Sequence, residues 1–142
     1  MATQNPGMVS RAPRRTLSGM SARTPEEVHA LLEAAMNARD ADAFAAVFEP
    51  EATMISPPHG EIVVGRAAIR ASIEPMLGTT AEIEVVGKLE ADGLALTHAR
   101  WQLGEMSGYG TIVSRRQPDG GWLIVLDNPL TPLPAGQRVV AR

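Results

Sequence analysis

The sequence predicts an α+β domain in which helices come first and an antiparallel sheet follows. Residues 24–27, TPEE, have the capping-box pattern with proline at the first helical position, and apolar residues then recur at helical spacing up to Met36. Towards the other end, two segments rich in β-branched and aromatic residues flank Pro118-Asp119-Gly120, a pattern typical of a hairpin turn. Because the helices precede the sheet, they can cover only one of its faces.

The segments between these two stretches predict the remaining elements in order. A second short helix is expected at 42–48, ended by Pro50, and a third at 66 to about 77, with Pro75 distorting its last turn. Strands are expected at 52–56, 62–64, 82–89, 94–103, 111–116 and 122–127, with a loop at 104–108. The last four strands would form an antiparallel meander.

The last strand of the hairpin is apolar on both sides. Strict alternation places Ile124 and Leu126 on one face and Leu123 and Val125 on the other. A strand of this kind lies in the middle of a sheet whose two faces are both covered. Since the helices cover one face, a second copy of the chain is the economical cover for the other, and we expect a homodimer.

Composition and charge exclude several classes of function. The 142-residue chain has a net charge of −3, and residues 1–23 carry +4 from four arginines, which leaves −7 for the rest. A body this acidic is not expected to bind nucleic acid, which needs a basic face. The chain has no cysteine, no secretory signal and no apolar run near the roughly 20 residues that span a bilayer. We therefore expect a cytoplasmic protein without a membrane segment.

One domain is expected at 24–130, between two tails. Residues 1–23 contain no apolar period and are expected to be a flexible basic tail, with a nucleic-acid-binding arm as the alternative. Residues 131–142 are proline-rich and then basic, which indicates a C-terminal tail. The three histidines lack metal-ligand spacing and the glycines form no phosphate loop, so neither a metal nor another cofactor is expected.

Three segments carry a resemblance to a known superfamily: 24–57 (TPEEVHALLEAAMNARDADAFAAVFEPEATMISP), 63–73 (VVGRAAIRASI) and 115–129 (RRQPDGGWLIVLDNP). The chain resembles the nuclear-transport-factor-2-like (NTF2-like) superfamily, in its SnoaL-like and ketosteroid-isomerase-like branch. The resemblance implies a cone-shaped, curved antiparallel sheet with three N-terminal helices packed on one face (a cystatin-like roll), usually dimeric.

The resemblance is less specific about activity, because the superfamily includes isomerases, epoxide hydrolases, polyketide cyclases, dehydratases and association domains. It implies an apolar, one-mouthed pocket and cofactor-free acid/base chemistry of the isomerase, cyclase or dehydratase type on a small hydrophobic carbonyl compound. The alternative is a non-catalytic ligand-binding or dimeric interaction module. A desolvated aspartate in an intact pocket would favour the enzyme, and a cone filled by side chains would favour the module.

Asp127 is the first candidate for catalysis. SnoaL-like cyclases have an acid/base aspartate on a late strand near the cavity, and Asp127 is the comparable acid here. A carboxylate at the end of an apolar strand can have a raised pKa and accept a proton. Asn128 or a histidine would then bond the enolate oxygen. The alternative is a structural carboxylate that accepts backbone N–H groups where the strand leaves the sheet.

His98 and Arg100 lie two residues apart on a long strand and therefore share a face. Leu94 and Leu96 share this face, while small residues and Trp101 make up the other, so Trp101 is a plausible pocket wall. In that orientation His98 and Arg100 face the dimer side. The opposite orientation would place a proton carrier and an anion stabiliser inside the cone, and periodicity does not decide between the two.

The remaining ligand-binding candidates border the expected pocket. Tyr109, the sole tyrosine, is expected in or beside a loop, and Met54 could line an apolar cavity, although methionine also fills cores. Ser56 and His59 flank two prolines in a turn that borders the mouth in related cones, with an ordinary surface turn as the alternative. His29 lies beside the apolar stripe of the first helix and is expected at the surface.

Overall fold

The computed structural model describes residues 21–131, so most of both predicted tails, residues 1–20 and 132–142, lies outside the described residues. The helices are α1 (Pro25–Asn37), α2 (Ala41–Ala46) and α3 (Arg66–Ile73), and a 3₁₀ helix at Glu74–Met76 follows α3. The strands are β1 (Phe48–Ser56), β2 (Glu61–Val64), β3 (Ala81–Ala91), β4 (Leu94–Leu103), β5 (Met106–Arg116) and β6 (Trp122–Asn128). No helix within 21–131 has the length and apolar character of a membrane-spanning segment.

Side-chain caps begin the first two helices. Thr24 Oγ1 accepts a hydrogen bond from the backbone N–H of Glu27 at 3.2 Å, as the capping box predicts. In α2, Asp40 Oδ1 accepts from the backbone N–H of Ala43 at 2.9 Å. The predicted first helix is confirmed. It could be predicted because neighbouring residues specify its start.

Three predicted boundaries are wrong. The second helix does not reach Phe48, which instead begins β1, and Pro50 lies inside that strand. The β1–β6 register is irregular between Phe48 and Thr53. Pro50, which has no backbone N–H to donate, therefore lies where the regular hydrogen bonding between these strands is interrupted. The third helix ends at Ile73, and Pro75 falls in the 3₁₀ turn. The expected loop at 104–108 is only a two-residue turn, because β5 already begins at residue 106.

The six strands form one curved, unclosed sheet in the order β2-β1-β6-β5-β4-β3. Strands β3 to β6 are the predicted antiparallel meander, and β1 and β2 form an antiparallel pair. The β1–β6 pair is parallel and joins the two parts. We call the sheet face that packs on the helices the inner face and the opposite one the outer face. The predicted α+β roll with helices on one face is confirmed.

A β-bulge in β6 decides which side chains reach the inner face. The β5–β6 register skips Val125, an extra residue on β6. Before the bulge Ile124 is fully buried, whereas Leu126, two residues later, is 49% exposed. The prediction that Ile124 and Leu126 share a face is therefore wrong, because the bulge reverses the alternation. It also turns Asp127 towards the inner face, where this side chain is buried.

Packing of the described chain begins before the first helix. Ala22, within the predicted tail 1–23, is buried in the core. Its carbonyl oxygen accepts a hydrogen bond from the backbone N–H of Trp122 at 2.9 Å, and the two residues form an isolated antiparallel bridge. The packed domain therefore includes residues that precede Thr24.

Apolar side chains cross the outer face in one row. The strand registers pair Leu89 with Leu96, Leu96 with Val113, and Val113 with Leu126. Paired residues lie side by side on the same face of a sheet. Leu89 is 71% exposed and Leu96 is 43% exposed in the single chain. We call these four residues the leucine row.

Candidate functional site

An apolar cavity of about 90 Å³ lies between the inner face of the sheet and the helices. Leu32 and Met36 of α1, Phe44 of α2 and Ile73 of α3 form its helical wall. The sheet contributes further apolar walls, among them Met54 of β1. His29, Gln102 and Asp127 are the ionisable or amide-bearing side chains among the lining residues.

Asp127 lies in this cavity with its carboxyl group desolvated. The residue is 9% exposed, and no donor within residues 21–131 hydrogen-bonds to its carboxylate. Desolvation by burial raises the pKa of Asp127 from 3.8 to about 7. The alternative interpretation, in which the carboxylate accepts backbone N–H groups at the strand end, does not match this geometry.

Two strands position the Asp127 side chain. The parallel β1–β6 pairing sets Asp127 beside Met54, so both side chains reach the cavity. Gly110 on β5 also lines the cavity, and a Cβ there would lie 2.8 Å from Pro129 Cα. Only glycine permits this close approach of β5 to the end of β6 without a shift of the backbone.

Trp101 forms a wall of the cavity. Its indole Nε1–H donates to the carbonyl oxygen of Pro129 at 2.8 Å, which fixes the ring across the end of β6. Gly108 on β5 leaves room for the ring, since a Cβ there would lie 3.0 Å from Trp101 Cζ2. The ring therefore presents an apolar surface to the cavity, and its N–H group is already bonded.

His29 is buried, and the expectation of a surface position is wrong. The residue is 3% exposed and lines the cavity from α1, opposite the sheet. Its Nε2 lies 2.7 Å from Thr97 Oγ1 of β4. Burial lowers the pKa of His29 from 6.5 to about 4, so the ring is neutral at neutral pH. The sequence did contain a signal, because residues 29, 32 and 36 share one helical stripe at spacings of three and four.

His98, Arg100 and Tyr109 lie on the outer face, away from the cavity. The His98 ring stacks on Tyr109 with centroids 5.7 Å apart and 13° between the planes, and His98 Nδ1 lies 3.2 Å from Thr111 Oγ1. Arg100 forms an ion pair with Glu84 of β3. Of the two open orientations of β4, the structure has the one in which Trp101 faces the cavity. His98 and Arg100 are therefore not brought together with Asp127. Tyr109 lies in strand β5, not in a loop.

The other three predicted ligand-binding residues do not line the cavity either. Asn128 pairs with Thr111 in the β5–β6 register, and its Oδ1 accepts the backbone N–H of Leu130 at 3.0 Å. Ser56 is buried at the end of β1, with its hydroxyl 3.4 Å from the Pro57 carbonyl oxygen. His59 is exposed in the turn that follows. This arrangement matches the alternative of an ordinary turn.

The described part of the chain contains no group of three or more His, Cys, Asp or Glu side chains placed to bind a metal ion. The polar side chains of the cavity come instead from three separate elements, His29 from α1, Gln102 from β4 and Asp127 from β6. Chemically, the site combines apolar walls with one carboxyl group that can gain or lose a proton near neutral pH.

The fold and site together define the class of protein: an NTF2-like α+β cone with an apolar cavity under its helices. The family model described as a SnoaL-like domain matches residues 28–123, and the chain belongs to this family. No curated protein matches the sequence.

Solved structures agree on the fold. A protein from Thiobacillus denitrificans, assigned to the calcium/calmodulin-dependent protein kinase type II association domains, is 25% identical with a TM-score of 0.66, over 79% of this chain and 99% of that one. A ketosteroid isomerase-like protein from Erwinia carotovora atroseptica is 14% identical with a TM-score of 0.61, over 72% and 90%. A protein from Streptomyces avermitilis, assigned as a dehydratase of the NTF2-like family, is 16% identical with a TM-score of 0.58, over 74% and 93%.

Proposed function

We propose that the chain binds a small hydrophobic carbonyl compound in the cavity and that Asp127 moves a proton on it without a cofactor. The reaction would be an isomerisation, cyclisation or dehydration. One observation carries the proposal: the Asp127 carboxyl group faces an apolar cavity and has no hydrogen-bond donor within residues 21–131. A structural carboxylate would be expected to have such donors, because burying an unpaired charge is costly.

The environment of Asp127 suits proton transfer. A general base works best when its pKa lies near the operating pH, and burial brings the pKa of Asp127 to about 7. The carboxylate could take a proton from the carbon next to a carbonyl group, and the resulting carboxylic acid could return it to another position. The apolar walls would exclude water and hold the hydrophobic part of the substrate.

The expected partners of Asp127 need revision within this proposal. Asn128, His98 and Arg100 lie on the outer face, so we assign them no role in the cavity. Trp101 and Met54 remain as ligand-contacting walls. With a volume of about 90 Å³, the cavity suits a ligand no larger than a single small ring, since an engineered cavity of roughly 150 Å³ holds benzene.

Exchange of α-protons tests the proposal without knowledge of the natural substrate. Cyclopentanone in D₂O would be followed by proton NMR with wild-type protein, Asp127→Asn and Asp92→Asn. Asp92 is the matched control, because it is an exposed aspartate in the β3–β4 turn. We expect faster exchange with wild type and Asp92→Asn than in buffer, and the buffer rate with Asp127→Asn. If Asp127→Asn exchanges the α-protons as fast as wild type, the role of Asp127 is refuted.

A second candidate function is a dimeric interaction module without turnover. The leucine row supports it, because apolar side chains exposed on β3, β4 and β6, with half-buried Val113 of β5 between them, are unusual for a monomer. The similarity to a protein assigned to the kinase association domains is in keeping with it. Binding of cyclopentanone without exchange would favour this candidate. A homodimer through the outer face is proposed under both candidates, and a cytoplasmic location stays a prediction from the cysteine-free composition.

A further inference from the structure

The ring of His29 is the second titratable group in the cavity, and the chemistry proposed for Asp127 does not use it. One of its two nitrogens is already occupied, because Nε2 lies 2.7 Å from Thr97 Oγ1. Thr97 is fully buried and does not line the cavity. Nδ1 has no hydrogen-bond partner within residues 21–131. It still has some accessible surface, because it is not one of the completely buried unpaired atoms of these residues. Nδ1 is therefore the ring nitrogen that remains for a ligand.

The contacts of Thr97 are compatible with a proton on Nε2 of His29. Thr97 Oγ1 lies 3.4 Å from the carbonyl oxygen of Ile112 as well as 2.7 Å from His29 Nε2. A carbonyl oxygen can only accept, and a hydroxyl group has a single proton to donate. If the hydroxyl donates to Ile112, it accepts from Nε2–H of His29. A neutral ring protonated at Nε2 has its lone pair on Nδ1.

The surroundings of His29 keep the ring neutral. Burial lowers its pKa to about 4, while Glu26, one turn earlier on α1, acts weakly in the opposite direction. Glu26 is itself paired with Lys88 of β3, whose Nζ lies 2.9 Å from a Glu26 carboxylate oxygen. Asp127 is the other titratable group that lines the same cavity. At neutral pH, His29 therefore carries no positive charge, and in the tautomer protonated at Nε2 it offers Nδ1 as an acceptor.

Other fixed donors are scarce in the cavity. The indole N–H of Trp101 already donates to the Pro129 carbonyl oxygen. Gln102 is exposed at the rim, and its amide donates to the Gly104 carbonyl oxygen at 3.3 Å. His29 Nδ1 can therefore act as a fixed acceptor, whereas the Asp127 carboxyl group accepts when ionised and can also donate when protonated. Acceptors that stay unpaired in a buried site favour ligands that bring their own donors.

We propose that His29 Nδ1 accepts a hydrogen bond from a hydroxyl or N–H group of the ligand, and that His29 is thus a specificity-determining residue. This assigns the ligand to small apolar carbonyl compounds that also carry a donor group, such as hydroxy ketones. The inference rests on the proposed function, because the ligand it describes is the one on which Asp127 would act. Thr97 is the positioning residue that sets the tautomer of His29.

The tautomer can be measured on the free protein. Full-length chain labelled with ¹⁵N-histidine would be studied by long-range ¹H–¹⁵N NMR at pH 6 to 8, with His29→Gln used to assign the signals of the three histidines. We expect His29 to be neutral, with a proton on Nε2 and none on Nδ1, and Thr97→Val to disturb this fixed state. A proton on Nδ1, or a charged ring at pH 7, would overturn the inference.

A pair of small probes then tests recognition of a donor. Pyrrole carries an N–H donor, furan has the same size without a donor, and their affinities would be compared at pH 6 for wild type, His29→Phe and Asp127→Asn. We expect wild type and Asp127→Asn to prefer pyrrole about fivefold or more, the order of one hydrogen bond, and His29→Phe to lose this preference. His29→Gln, which retains an amide donor for Thr97, serves if the Phe variant does not fold.

The outcomes separate the two proposals. A preference that persists in His29→Phe and vanishes in Asp127→Asn would assign the donor contact to Asp127, and would overturn the inference while leaving the proposed function intact. Equal affinity of wild type for both probes would also overturn the inference alone. Binding of neither probe would contradict the cavity as a ligand site and would overturn both proposals.

Discussion

Replacing Asp127 by Asn should stabilise the protein at pH 8 and leave its stability almost unchanged at pH 4. The folded chain retains the Asp127 proton up to a pKa of about 7, whereas a carboxyl group in the unfolded chain loses it near 3.8. The folded state thus binds more protons in this window, and stability falls as pH rises through it. Asn has nearly the same shape and carries no charge, so it removes this penalty.

The raised pKa sets the size of the effect. The shift from 3.8 to about 7, at 1.36 kcal/mol per unit, corresponds to about 4 kcal/mol above pH 7. This is an upper limit, since water that enters the cavity would lessen desolvation. For a domain of this size each kcal/mol raises the melting temperature by roughly 3 °C, so about 10 °C is expected at pH 8.

Urea unfolding at pH 4, 6 and 8 would measure the effect in wild type, Asp127→Asn and the exposed control Asp92→Asn. His29 has the opposite linkage, because its lowered pKa of about 4 makes stability fall as pH falls below 6.5. That contribution is present in all three proteins and cancels in the differences. A free-energy difference between wild type and Asp127→Asn that does not grow with pH would refute the desolvated carboxylate.

Three other substitutions and deletions test the fold around the site. Gly110→Ala should lower the free energy of unfolding by about 1–3 kcal/mol, because its Cβ would overlap the end of β6, whereas Gly87→Ala has room for a Cβ and should change it little. Leu96→Asp in the leucine row should convert a dimer to a monomer in sedimentation, and Ala30→Asp, exposed on α1 on the helical side, should not. Deleting residues 1–20 should leave the melting temperature within a few degrees, whereas deletion through Ala22 should lower it by about 5 °C or more, because the buried bridge is lost. Equal effects within any of these pairs would contradict the corresponding contact.

The sequence predicted the elements whose signals are local. The cap of α1 and the turn at residues 118–120 depend on neighbouring residues, and both are as expected. The start of β1 was missed, because Phe48 and Pro50 join a strand only through pairing with β6, far along the chain. Pairing between strands that are distant in the sequence leaves no recognisable pattern in the few residues around Phe48 and Pro50.

The candidate site was predicted in part. Asp127 was found because it ends the most apolar strand, but the alternation that places Ile124 and Leu126 together ignores the bulge at Val125. That bulge arises from the β5–β6 register, and a strict period of two cannot reveal it. His29 was missed for a related reason, since a polar residue on an apolar stripe is buried only if another strand supplies a partner, here Thr97.

The central claim is that the Asp127 carboxyl group lies desolvated in the cavity, and its pKa is the most direct measure. Carboxyl ¹³C NMR of aspartate-labelled protein, with Asp127→Asn used for assignment, would follow its titration from pH 3 to 9. We expect a pKa near 7, raised by burial. A pKa near 3.8, the ordinary value for this group, would show a solvated or hydrogen-bonded carboxylate and would contradict a desolvated Asp127.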